Sequence, residues 1–117
     1  MLTTASIIML MTGVAHSFLG EKYILMRLFR IENISELLGG DKFTQNTLRF
    51  AWHITSITWF GIAAVLLFDN NQTPFFLYTV ATVSFVSAAM AALFTKGKHL
   101  SWLAFLSIGI LTFLSVP

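Results

Sequence analysis

Residues 74–95, PFFLYTVATVSFVSAAMAALFT, carry no charged side chain and decide the fold class of this chain. A helix that crosses the hydrocarbon core of a bilayer needs about 20 mainly apolar residues. The stretch has this length, and as an isolated strand it would leave backbone polar groups unpaired in lipid. It therefore predicts a transmembrane helix.

Three further segments, at residues 2–20, 50–68 and 100–116, are similarly apolar, and the last is the shortest. Only 10% of the 117 residues are charged, whereas a soluble domain has about 25%. We therefore predict an all-α integral membrane protein with a single domain, residues 1–117, folded as a four-helix transmembrane bundle. Residues 1–10 contain no Lys or Arg, so we expect a retained first helix and not a cleaved signal peptide.

All seven Lys and Arg residues lie at or within two of the predicted connections. Five belong to the first connection and two to the third: Lys22, Arg27, Arg30, Lys42 and Arg49, then Lys96 and Lys98. Connections rich in basic residues stay in the cytoplasm. The pattern predicts that the loop at residues 69–73 and both termini face outward. We expect the membrane to be a bacterial inner membrane, so this outer side is the periplasm.

The first cytoplasmic connection is the longest of the three. An apolar stripe from Tyr23 to Ile31 predicts that the first helix extends into the membrane interface or lies along it. Asn33 and Glu36 have the spacing of a capping box, which predicts a short interfacial helix. This connection is interpreted either as a membrane-surface connector or as a docking surface for a partner.

The composition excludes several classes of function. A net charge of +2, confined to one side, fits an anionic lipid surface and not a nucleic acid. The absence of Cys excludes disulfides, iron–sulfur clusters and thiolate metal sites. The sequence has no phosphate-binding loop and no nucleophile–base arrangement, the patterns that would indicate an enzyme. Whether the protein is an enzyme is a question that the sequence leaves open. The lipid bilayer is the expected partner, and a stripe of small residues predicts close helix packing within the chain or in a homodimer: Ala81, Ser84, Ala88, Ala91 and Thr95.

Ionisable groups are costly inside a membrane, so His16 and His53, in the first and second segments, are candidate site residues. Glu21 and Arg49 lie just toward the basic side of them. In an antiparallel hairpin, residues at equal depth share a nearly constant sum of residue numbers, and these two pairs have nearly the same sum. Both pairs can therefore be level at once. We expect an ion pair between Glu21 and Arg49 or, alternatively, Arg49 holding an anionic group of a ligand.

Three interpretations of the histidine pair are open. Each imidazole can simply hydrogen-bond a neighbouring helix, through a group such as Thr12, Ser17 or Ser56. The pair can instead form a proton relay or a site for a quinone headgroup. Finally, His16 and His53 can be the two axial ligands of a haem b held between the helices.

The local sequence is compatible with haem b, with His16 and His53 as its metal ligands. Gly13 and Gly20 flank His16 on its own helix face and would let a flat macrocycle approach the backbone. Arg49 lies one turn from His53, toward the interface where haem propionates need a cation. We predict a small b-type haem-binding membrane protein with an electron-transfer or redox-sensing role, acting with quinone or a membrane redox partner. The alternatives are a non-enzymatic assembly subunit of a membrane complex and a small proton-linked transporter.

The remaining aromatic and polar residues are expected to be structural. Trp52 and Trp102 fall near the basic-side boundary, where amphipathic rings usually lie, and Trp59 lies deeper and is expected to pack. His99 follows Lys98 in the last basic loop and is expected to be an interfacial residue.

Overall fold

The computed structural model describes residues 1–31 and 40–117, and these residues are helical and connecting segments with no strand among them. The first helix is continuous over Leu2–Leu28, with wider, π-helical turns over Gly20–Leu25. The other helices are Asp41–Phe68, Pro74–Phe94 and Ser101–Phe113. The predicted interfacial helix, with its capping-box residues Asn33 and Glu36, lies outside the described residues.

The first three helices are each long and apolar enough to cross a membrane. The prediction of an integral membrane protein with transmembrane helices is supported by these three. The fourth helix has 13 residues, or about 20 Å at 1.5 Å per residue, and is shorter than the segment at residues 100–116 that the sequence predicts.

Two helices extend beyond the predicted apolar segments toward the end of the molecule that carries Lys and Arg. The first continues to Leu28, which confirms the prediction that it extends past its apolar segment. The second begins at Asp41, so the polar residues before Phe50 are helical too. Gly40 precedes this helix with a φ of 88°, a backbone conformation that glycine adopts without a steric penalty. These extensions place both Glu21 and Arg49 within helices.

The helices do not pack in the order of the sequence. The first helix lies between the second and the fourth, and the fourth packs against the third. In the described part of the chain, no Cα atom of the second helix lies within 8 Å of one of the third, although only a short loop joins them. The spatial order is therefore second, first, fourth, third, with a gap between the second and third helices.

The buried core lies between the helices toward the end opposite the basic loops. It comprises apolar residues from all four helices: Met9, Ala63, Leu66, Leu77, Val80, Ala88, Phe105 and Ile108. On the third helix, Ala81, Ser84 and Ala88 of the predicted small-residue stripe are buried. Because the third helix packs against the fourth, part of this stripe serves packing within the chain.

Candidate functional site

The predicted ion pair joins the first and second helices. Arg49 Nη2 lies 2.7 Å from Glu21 Oε1, and Arg49 Nε donates to Oε1 and Oε2 of the same carboxylate at 2.9 and 3.1 Å. The planar guanidinium suits such forked contact with a carboxylate. The two helices are therefore antiparallel in the register that the sequence predicts.

His53 extends this pair into a chain of hydrogen bonds. Its Nε2 lies 3.2 Å from Glu21 Oε2, and its Nδ1 lies 2.8 Å from the hydroxyl oxygen of Ser17. The contact between His53 and Glu21 is not among those predicted from the sequence. The signal was present, because Arg49 and His53 are four residues apart on one helix face and one opposing carboxylate can meet both.

His16 makes the reciprocal contact with the second helix. Its Nδ1 lies 3.0 Å from the hydroxyl oxygen of Ser56, a side chain that is buried. Each helix thus supplies one histidine and one serine to the other. The hydrogen bonds that the sequence predicts with Ser17 and Ser56 are present, whereas the hydroxyl of Thr12 donates to a carbonyl of its own helix at 2.7 Å.

Two tryptophans of the second helix hold the His16 ring. The Trp52 indole stacks on it with ring centroids 4.5 Å apart and planes 2° from parallel, and Trp52 Nε1 donates to the His16 carbonyl oxygen at 2.9 Å. The Trp59 ring lies 5.0 Å away at a tilt of 57°. The sequence predicted only that Trp52 is an interfacial ring, and its contacts with His16 were not predicted. They follow from side-chain packing that sequence spacing alone does not specify.

The two glycines beside His16 make room for aromatic side chains of the second helix. A Cβ at Gly20 would overlap the Trp52 indole, and a Cβ at Gly13 would lie 2.5 Å from Phe60 Cε1. Both glycines therefore permit a close helix approach, whereas the sequence predicted that they make room for a macrocycle. The space above each one is filled by a ring of the protein itself.

The turn that carries Glu21 is irregular. The π-helical segment begins at Gly20, immediately before Glu21, and ends at Leu25, which is buried. Such wide turns occur often at functional sites, where they change the direction of a side chain relative to a regular helix. Here the wide turn carries the one carboxylate that contacts both Arg49 and His53.

Elementary chemistry determines which of these side chains donate hydrogen bonds and which accept them. An ionised carboxylate only accepts, so with Glu21 ionised beside Arg49 the proton of neutral His53 lies on Nε2. Nδ1 of that ring then accepts from the Ser17 hydroxyl. A second proton arriving at Nδ1 would make the ring a cation that donates at both nitrogens, and Glu21 could take the proton from Nε2. The arrangement can therefore transfer protons as well as hold the helices together.

The series of hydrogen-bonded groups that begins at Arg49 can be reached from the protein surface at that end. The side chain of Arg49 is 42% exposed and that of Glu21 is 29% exposed. Ser56, which contacts His16 further from the basic loops, is 1% exposed. The polar groups thus lead from the surface near the basic loops toward the interior between the first two helices.

The residues present do not fit a haem between these helices. Both ring nitrogens of His53 already have polar partners, and one face of His16 is covered by Trp52. The spaces over Gly13 and Gly20 that a macrocycle would use are filled. The haem b hypothesis stays a prediction.

His99 lies apart from these contacts, as the sequence predicts. It is exposed in the loop before the fourth helix, and its Nδ1 lies 2.7 Å from the Ser101 hydroxyl oxygen.

The fold and site define a class: an all-helical membrane protein with an Arg–Glu–His–Ser chain between its first two helices. Comparisons with protein-family models, with curated proteins and with solved structures each found no match to this chain.

Proposed function

We propose that this chain is a small proton-linked membrane transporter in which Glu21, His53 and Ser17 carry the proton. The observation that supports the proposal is the position of His53, with a carboxylate 3.2 Å from one ring nitrogen and a hydroxyl 2.8 Å from the other. An imidazole with an acceptor on one side and a hydroxyl on the other can receive a proton at one nitrogen and release it from the other.

The proposal includes the orientation of the chain. The end that carries Lys and Arg lies in the cytoplasm, in keeping with the distribution of positive charge, and both termini lie in the periplasm of a bacterial inner membrane. Residues 100–116 complete a four-helix transmembrane bundle. Glu21 then exchanges protons with the cytoplasm, and Ser17 with the interior of the helix pair.

A purely structural ion pair would not need His53. Arg49 already makes close contacts with both oxygens of Glu21, so the carboxylate is neutralised without a second partner. An imidazole can hold a proton at either ring nitrogen, so His53 gives the pair a group that can take up a proton and release it. Ionisable groups in a membrane interior usually mark ion or proton pathways.

Proton entry into proteoliposomes tests the proposal. The purified protein is reconstituted with a pH-sensitive dye inside, and a potassium diffusion potential, negative inside, drives protons inward. We expect faster acidification than in empty liposomes. The rate should fall to the empty-liposome level in His53→Gln and in Glu21→Gln, because neither amide exchanges protons as the native group does.

The matched control is His99→Gln, which removes an exposed imidazole that is not part of the hydrogen-bonded series, and it should leave the rate of proton entry unchanged. Equal acidification by wild type, His53→Gln and Glu21→Gln would overturn the proposal. An optical spectrum of the same preparation, recorded after expression with haem supplied, checks the earlier hypothesis, since Soret and α bands would support haem binding.

A further inference from the structure

The gap between the second and third helices holds a cavity of about 210 Å³. Trp59 and Ile62 of the second helix form one wall, and Phe76 and Val83 are on the other. Phe105 of the fourth helix also lines the cavity. The cavity is almost entirely apolar and is partly open.

Two serine hydroxyls line the wall on the third helix. Ser84 is 3% exposed, and neither Ser84 nor Ser87 makes a hydrogen bond within the described residues. The neighbouring hydroxyls of Thr58 and Thr79 instead donate to carbonyl oxygens of their own helices, at 2.9 and 2.8 Å. A hydroxyl without a protein partner at an apolar wall can hydrogen-bond a polar atom of a ligand, so a ligand with such an atom at this wall would be favoured over a wholly apolar one.

The size of the cavity limits that ligand. An apolar protein cavity of about 150 Å³ binds benzene, so 210 Å³ holds one six-membered ring with small substituents. The walls are suited to a ring: Trp59 lies at the cavity and packs edge-on against Phe105, with centroids 5.1 Å apart. Aromatic rings bind favourably in such offset and edge-on arrangements.

We propose that this cavity binds an oxygen-bearing six-membered ring, of the phenol or quinone type, that enters from the lipid. Ser84 and Ser87 hydrogen-bond the ring oxygen, and Trp59 contacts the ring. The same indole lies 5.0 Å from the imidazole of His16, so the ring would be one side chain away from the polar groups. Its role as the transported substrate rests on the proposed function, whereas its binding does not.

Quenching of tryptophan fluorescence by 4-bromophenol tests the binding, with the full chain in lipid nanodiscs. We expect a saturable decrease that is absent in Trp59→Phe. In the double variant Ser84→Ala/Ser87→Ala the Kd should rise about fivefold to tenfold, the effect of one or two lost hydrogen bonds. Ser107→Ala, an exposed serine of the fourth helix outside the cavity, is the matched control and should keep the wild-type Kd.

Bromobenzene has the same apolar body without the hydroxyl, and its quenching should not distinguish the serine variants. Displacement of 4-bromophenol by a decyl-tailed benzoquinone would assign the ring to a tailed membrane lipid, and failure to displace it would assign the site to small free phenols. Quenching that rises linearly, and equally in wild type and the double variant, would overturn the proposal and leave lipid acyl chains as the occupant.

The two proposals fail separately. His53→Gln should retain saturable 4-bromophenol quenching while it loses proton entry. Lost saturation in wild type with normal proton entry would overturn only the ring site, and wild-type proton entry in His53→Gln would overturn only the proton pathway.

Discussion

The first and second helices contact each other differently from the third and fourth. Both pairs place an aromatic ring over a glycine, Trp52 over Gly20 in one and Phe85 over Gly109 in the other. Only the first pair adds side-chain hydrogen bonds between its helices; in the part of the chain that the structure describes, none joins the third helix to the fourth. Packing without such bonds joins the third and fourth helices, whereas the first pair also has the polar contacts on which the proposed proton pathway depends.

Gly20→Ala should have the largest effect. The added methyl group overlaps the Trp52 indole, which must move and lose its stacking on His16. We expect a loss of about 1–3 kcal/mol in the free energy of unfolding, measured by steric trapping in bicelles, together with loss of proton entry. The control is Gly61→Ala, where nothing lies within 4 Å of the new methyl group, and it should gain up to about 1 kcal/mol from helix propensity. Equal stability of the two variants would contradict this interpretation.

Gly109→Ala makes the same kind of change in the other helix pair. Its methyl group would lie 2.7 Å from Phe85 Cε1, but this ring is only partly buried and can turn away. We expect a loss of about 1–1.5 kcal/mol in the free energy of unfolding by the same measurement. Proton entry by the folded protein should be unchanged, and its loss would show that the two helix pairs are coupled.

Ser6→Ala tests a hydrogen bond between the first two helices away from the histidines. Ser6 is fully buried and its hydroxyl donates to the carbonyl oxygen of Ala63 at 2.7 Å. Such bonds between membrane helices contribute about 0.6 kcal/mol on average, and we expect a loss of that size in the free energy of unfolding. Ser107→Ala, which removes an exposed hydroxyl, provides the comparison and should change stability less.

Thr112→Val should act in the opposite direction, with the smallest effect. The hydroxyl of Thr112 is buried and has no hydrogen-bond partner in the described residues. Valine has nearly the same shape without the polar atom, so we expect a gain of about 0.5 kcal/mol from removing an unpaired group. Thermal unfolding in detergent measures it as a higher Tm, and a lower Tm would show that this hydroxyl has a partner in the membrane.

The sequence was sufficient for three apolar helices long enough to cross a membrane and for the register of the first hairpin. Long apolar segments define the helices by length alone, and the level pairing of Glu21 with Arg49 follows from the constant rise of an α-helix. It was not sufficient for helix neighbours. The loop between the second and third helices is short, yet these helices do not pack together, and nothing in local spacing distinguishes that arrangement from a sequential one.

Within the site, residue types were easier to predict than their partners. His16, His53, Glu21 and Arg49 were identified because ionisable groups are rare near lipid. The role of Gly20 was predicted as room for a flat group, and the flat group in the structure is the Trp52 indole. Which ring fills a space depends on the directions of side chains on two helices. These directions cannot be read from the spacing of residues in the sequence.

The exchange of one histidine and one serine between the first two helices has a mechanical consequence. His16 and Ser17 are adjacent in the chain, and their partners Ser56 and His53 are less than one turn apart. A rotation of either helix about its long axis would therefore change both imidazole–hydroxyl distances at once, because each helix carries one member of each contact within a single turn.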